Sequence, residues 1–210
     1  MEFSYTLSII ILTAVISVLA FQSPALMQKL LLSPFLVKHS REYYRILSSG
    51  FVHANWMHLG INMFVLYMFG ESVENNFKES FGSFGPIHFL GMYIGALIVS
   101  DLPTYLKHRD NSYYASLGAS GAVSGVVFTS ILFDPLGKLY LFGLIGIPGI
   151  IFGVLYLVYS IQMARRSQDN INHDAHFYGA IFGVIYTIAM KPSIALEFVE
   201  KLIDGIKFIN

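Results

Sequence analysis

Six stretches of this chain carry no Asp, Glu, Lys or Arg, and most of them match the length of a membrane-crossing helix. They cover residues 3–28, 46–70, 80–100, 111–133, 139–164 and 175–190. A spanning helix takes about 20 mostly apolar residues. In lipid every backbone N–H and C=O must find its partner inside the protein, which leaves helices or closed barrels. Apolar runs this long and unbroken fit helices. The polar punctuation is short: residues 71–79, residues 101–110 with Pro103 as a helix breaker, the turn Asp134-Pro135-Leu136-Gly137-Lys138, and residues 162–174. No linker is long enough to separate two folding units. The expectation is therefore one all-α membrane domain over residues 1–210, with six spans near 5–22, 56–72, 83–100, 118–133, 139–161 and 174–190.

Composition agrees. Charged residues make up 12% of the chain and hydrophobic residues 55%, where a soluble domain carries roughly 25% charge. Mean hydropathy is +0.60. The formal net charge is zero, so no basic face invites nucleic acid. The absence of cysteine removes disulfide scaffolds, thiolate metal sites and cysteine nucleophiles together. Residues 23–45 differ from the spans. They hold Pro24, Pro34, Lys29, Lys38, Arg41 and Arg45, the character of an interfacial loop with short helices. A signal peptide opens with basic residues. Here Glu2 precedes the first apolar run and the first lysine is Lys29, so that run reads as a retained span.

Six spans place both termini on one side. Five of the lysines and arginines then fall on the termini side and eight on the other. The positive-inside rule would put the termini outside.

Polar side chains inside apolar spans are costly, so each is a functional candidate. The first cluster is Gly118-Ala119-Ser120-Gly121 at the head of the fourth span. A serine between glycines can be approached closely, although small residues such as Gly121, Ser124 and Gly125 also serve helix packing. The second is Ala175-His176-Phe177-Tyr178-Gly179 with Gly183. Gly179 and Gly183 form a stripe at four-residue spacing, and His176 shares its face. A histidine bonded to a loop carbonyl is the plainer reading. The third is His53-Ala54-Asn55-Trp56-Met57-His58, with Asn62 one turn beyond His58. His58 and Asn62 can both donate hydrogen bonds, either to a developing oxyanion or as polar glue between helices.

Serine needs a base within hydrogen-bond reach, and histidine suits that role near neutral pH. No acidic residue inside a span offers itself as a third member, and Asp174 is two residues from His176, on another side of the helix. A Ser–His dyad is the simplest assembly. His173 and His176 are three apart, but no His-Glu-x-x-His pattern occurs, so neither a metal nor any other cofactor is expected. A transporter would place charges near the midplane, whereas the charges here sit in loops.

In these residues the chain resembles the rhomboid intramembrane serine proteases. Gly118-Ala119-Ser120-Gly121 is similar to their Gly-x-Ser-Gly motif, and Ala175-His176-Phe177-Tyr178-Gly179 with Gly183 to their Ala-His-x-x-Gly-x-x-x-Gly motif. His58 and Asn62 fit their His-x-x-x-Asn. Tyr44-Arg45 stands where Trp-Arg is frequent, and Glu74 matches a structural glutamate closing the second span. The resemblance implies a six-helix bundle with Ser120 as nucleophile, His176 as base, and His58 and Asn62 at the oxyanion. Gly118, Gly121, Gly179, Gly183, Arg45 and Glu74 would have structural roles. It further implies single-span membrane protein substrates and cytoplasmic termini in the inner (plasma) membrane, against the charge count. A non-catalytic client-binding relative is the alternative, and a small transporter a more distant one. One departure stands out. Many members carry an aromatic four residues after the nucleophile, stacked on the base. Here that residue is Ser124, so the His176 ring would be held by Tyr178 or by packing alone. Residues 162–174 would form a flexible cap over the site.

Overall fold

The computed structural model describes residues 4–141, 144–166 and 171–207. Among them ten α-helices follow in order: α1 Tyr5–Gln22, α2 Pro24–Leu30, α3 Pro34–His39, α4 Arg45–Ser48, α5 Trp56–Phe81, α6 Gly85–His108, α7 Ser120–Phe133, α8 Gly149–Arg166, α9 His173–Met190 and α10 Ser193–Lys207. The short helices α2 and α3 each begin with proline at the first position after a capping serine, Ser23 and Ser33. Proline is tolerated there because the first helical N–H has no partner in any case.

Two helical stretches, Tyr5–Gln22 and Trp56–His108, are long and apolar enough to cross a membrane. The second comprises α5, one 3₁₀ turn and α6. α9 and α10 together are a further candidate, bent by 111° at their junction, and Ser120–Phe133 is a shorter apolar helix. The distribution of side chains is that of a bundle whose solvent is lipid. Leu7, Ile11, Val15 and Leu19 of α1 and Ile61, Phe64 and Met68 of α5 are exposed, while Thr13, Ser17, Glu74, Thr129 and Thr187 are buried. Polar groups turn inward because lipid cannot bond them.

Four boundaries differ from the sequence reading. α5 runs on to Phe81, through the polar residues 71–79 that were expected to close the second span near 72. α6 continues through Pro103 to His108. A proline costs a membrane helix one hydrogen bond, which its surroundings can make good. The expected span at 139–161 begins instead as a β-hairpin. β1 Lys138–Leu141 pairs antiparallel with β2 Ile145–Pro148, and α8 starts only at Gly149. Pro148 is the physical reason, since a residue preceding proline is pushed out of the helical region. Finally, α10 follows the last expected span. It buries Ile194 and exposes Leu196, Val199 and Ile203, and Lys201 Nζ donates to the Phe133 carbonyl at the foot of α7, 2.6 Å away.

α7 is the centre of the bundle. Twelve of its residues, Gly121–Phe133 except Ser130, are buried, and α5, α6 and α9 pack around it.

Candidate active site

Ser120 occupies the first turn of α7. The N–H groups of that turn lack intrahelical acceptors and carry the positive end of the helix dipole. The loop leading to it is fastened residue by residue. Leu32 and Ser116 exchange backbone hydrogen bonds of 2.9 and 3.0 Å, and Gly118 N–H donates to the Ser49 carbonyl at 2.9 Å. Ala119 N–H donates to His53 Nε2 at 3.4 Å. Gly118 has φ +123°, a conformation open to glycine and strained for other residues. A Cβ there would also meet the His58 ring, 2.7 Å from Cε1.

His53 is a residue whose part the sequence did not reveal. It is fully buried, and Ser17 Oγ lies 3.0 Å from its Nδ1 and 3.0 Å from the Phe51 carbonyl. Ser17 donates to that carbonyl, so His53 donates from Nδ1 and accepts from Ala119 at Nε2. Burial pushes the imidazole down to about 3, helped by the adjacent His58. The neutral ring therefore persists at physiological pH.

His58 packs its ring on Gly118, and its Nδ1 accepts from Ala54 N–H at 3.5 Å. That leaves the proton on Nε2, the nitrogen nearer Gly118. Asn62 is buried, and its Nδ2 donates to the His58 carbonyl of its own helix at 3.0 Å. Its amide is thus turned along α5.

α9 approaches α7 through glycine. A Cβ on Gly179 would stand 2.0 Å from the Gly121 carbonyl oxygen, and one on Gly183 would stand 2.3 Å from that of Gly125. A Cβ on Gly121 would meet Ser100 Oγ at 2.2 Å and the Ala175 carbonyl at 3.3 Å. Gly121 thus touches the turn from Ala175 to Gly179, which carries His176, while Ser120 is its chain neighbour. Asn172 caps α9 by accepting from Ala175 N–H at 3.1 Å, and Asp174 faces outward to Lys107, 3.7 Å away. Of the flexible cap expected at residues 162–174, residues 162–166 continue α8 and residues 173–174 open α9, while residues 167–170 lie outside the described residues.

A cavity opens beside Ser120, lined by Ser100, Asp101, Gly118, Gly121 and Asn172 among others. Asp101 was expected in a loop. Because α6 runs on, it instead sits on a helix, accepts from Ser49 Oγ at 3.2 Å and supplies the cavity with a carboxyl group. The aromatic partner of His176 is also a correction. Tyr178 is 42% exposed, and the ring lying along the imidazole is Tyr156 of α8, with centroids 6.3 Å apart and planes 21° apart.

Arg45 and Glu74 lie away from the cavity. Arg45 is buried, donating from Nη1 to the Gln28 and Leu31 carbonyls at 2.8 and 2.9 Å and from Nε to Glu42 at 2.6 Å. It ties the end of α2 to α4. Glu74, also buried, accepts from Tyr5 N–H, Thr6 N–H and Thr6 Oγ1 at 3.1–3.2 Å. It caps the first turn of α1, where a carboxylate complements the dipole.

The sequence profile of the Rhomboid domain matches residues 40–193. The chain belongs to the rhomboid family. This rhomboid is 31% identical over 183 residues to Rhomboid-like protein 11, chloroplastic, of Arabidopsis thaliana, covering 79% of the chain and 59% of the relative. It is 27% identical over 177 residues to RHOMBOID-like protein 12, mitochondrial, of the same plant, covering 75% and 51%. Against the Presenilin-associated rhomboid-like protein, mitochondrial, of Homo sapiens it is 30% identical over 147 residues, covering 67% and 36%. This rhomboid therefore spans between 36% and 59% of the length of these relatives.

Proposed function

We propose that this rhomboid is an intramembrane serine endopeptidase that cleaves single-span membrane proteins with Ser120 and His176. The observation that supports the reading is the glycine contact of Gly121 with the Ala175–Gly179 turn, which brings the backbone of the serine turn against that of the histidine turn beside a cavity lined by Ser120 and Ala175. Ser120 Oγ attacks the scissile carbonyl while His176 takes its proton. The oxyanion forms near the unpaired N–H groups of the first turn of α7, with His58 Nε2 and Asn62 as further donors. His176 then protonates the leaving amine, and water releases the acyl-enzyme. The proposal has six crossing helices, α1 and α5–α9, in one domain. Of these six, α8 is the least embedded, burying Gly149, Gly153 and Ser160, so a substrate helix reaches the cavity from its side.

The membrane proposed is the inner (plasma) membrane with cytoplasmic termini. The relatives named above are organellar by name, and fractionation with protease protection of a terminal tag tests the placement. A fluorophosphonate probe tests the chemistry. Wild type should be labelled, and Ser120→Ala and His176→Ala should each lose labelling and cleavage of a single-span substrate, the double variant being no worse. Labelling that survives Ser120→Ala removes this nucleophile. A wild type neither labelled nor cleaving favours a client-binding protein or transporter.

A further inference from the structure

Tyr156 touches both helices of the proposed site from a third. Its hydroxyl lies 2.7 Å from Ser124 Oγ, and its ring lies along the His176 imidazole. Ser124 is one turn beyond Ser120, on the same face of α7. His173 also stands beside the imidazole, centroids 5.8 Å apart and planes at 78°. Phe128 and Phe152 hold the Tyr156 ring in turn, each with centroids 5.7 Å away.

We infer that Tyr156 is the positioning residue for the base: an aromatic supplied by α8 that keeps the His176 ring facing Ser120, with Ser124 as its anchor. The inference rests on the Ser120–His176 reading. A histidine at the head of a helix can rotate about two side-chain bonds, and only a small range of orientations presents a nitrogen to the neighbouring serine. A near-parallel ring and an edge-on ring beside the imidazole restrict that rotation. Centroid separations of 4.5–7 Å with offset or edge geometry are those aromatic pairs prefer. Ser124 has a second, steric role. Tyr156 fills the space next to it, so a large side chain at 124 and the tyrosine exclude one another. The hydroxyl of Ser124 then turns the small residue into a hydrogen-bonded stop for the ring.

The test measures kcat, KM and thermal stability in detergent, with active sites counted by fluorophosphonate titration. Tyr156→Leu should lower kcat per titrated site on the order of 10- to 100-fold, the scale of a misplaced catalytic group, with KM little changed. Tyr156→Phe and Ser124→Ala keep the ring and lose its anchor, so each should cost about threefold or more. In the Tyr156→Leu background, Ser124→Phe should restore roughly tenfold or more by supplying a ring from α7 itself. A packing role alone would reduce the number of titratable sites and leave the rate per site intact. Wild-type kcat per site in Tyr156→Leu overturns the inference. If that variant does not fold, wild-type kcat in Ser124→Ala overturns it. An unlabelled wild type overturns the parent reading and this one with it. A labelled wild type with an unaffected Tyr156→Leu overturns this one alone.

Discussion

A Cβ on Gly179 would lie 2.0 Å from the carbonyl oxygen of Gly121. No real side chain tolerates that distance, so α9 and α7 are in backbone contact one residue from Ser120 and three from His176. Gly179→Val must separate the helices. A misplacement of about 1 Å can cost on the order of 100-fold in rate, so cleavage should fall at least that far. The matched control is Ile185→Val, since Ile185 is 59% exposed. Ile188, on the same helix, packs against the core and would not serve. Both variants are assayed for cleavage and melting temperature. A folded Gly179→Val protein with wild-type activity would show that this contact does not set the site.

His58→Ala should lower kcat and leave KM nearly unchanged, because an oxyanion exists only in the transition state. Loss of one such donor costs about 2.7–4 kcal/mol in a soluble serine protease, and less where donors share the charge. Asn62→Ala should have the smaller effect, since its amide already bonds the His58 carbonyl. Steady-state kinetics on both variants decide. Unchanged kcat in both, with normal folding, takes these residues out of the site.

Glu74→Ala leaves Tyr5 N–H, Thr6 N–H and Thr6 Oγ1 without their acceptor. A buried donor left unsatisfied costs about 1–3 kcal/mol, so melting in detergent should drop measurably while the rate per titrated site stays at the wild-type level. An undiminished melting temperature would mean that the start of α1 finds other partners.

The His53 imidazole, ordinarily near 6.5, is held to about 3 by burial. Between those values the unfolded chain binds a proton that the folded chain refuses. Stability therefore falls as pH falls through this window, by at most about 1.4 kcal/mol per pH unit for one group. His53→Gln removes the titration. Melting curves from pH 7 to 4.5 should slope more steeply for wild type than for the variant, and parallel slopes would argue against a neutral buried imidazole.

What the sequence disclosed and what it hid follow from how the interactions are spaced. The glycine pairs at 121/125 and 179/183 were legible because four-residue spacing marks one helix face. α1 could be bounded at residues 5–22 because its run is uninterrupted. Asp101 was misread because charge was taken as the mark of a loop, while α6 runs on past Pro103 and keeps Asp101 on the helix. The hairpin at 138–148 hid inside an apolar run, where composition cannot separate strand from helix and only Pro148 gave notice. α10 escaped because Glu197, Glu200, Lys201 and Asp204 break its apolar run along the sequence, although they gather on one face of the helix. Tyr156 and His53 reach their partners across 32 and 66 residues of sequence, and no periodicity records a meeting of that kind.

α7 is secured at both ends by side chains from distant parts of the chain, His53 at Ala119 and Lys201 at Phe133. Fourteen residues at 1.5 Å each make a rod of about 21 Å. Seen as a pointer pivoting on its foot, such a rod carries its tip through 1 Å for a tilt of only about 3°. The lysine under the far end of the helix therefore bears on the aim of Ser120, together with the packing of α5, α6 and α9 along the rod. Cutting the chain before α10 would remove the lysine tie at that foot and act on the aim of Ser120 from the opposite end of the helix.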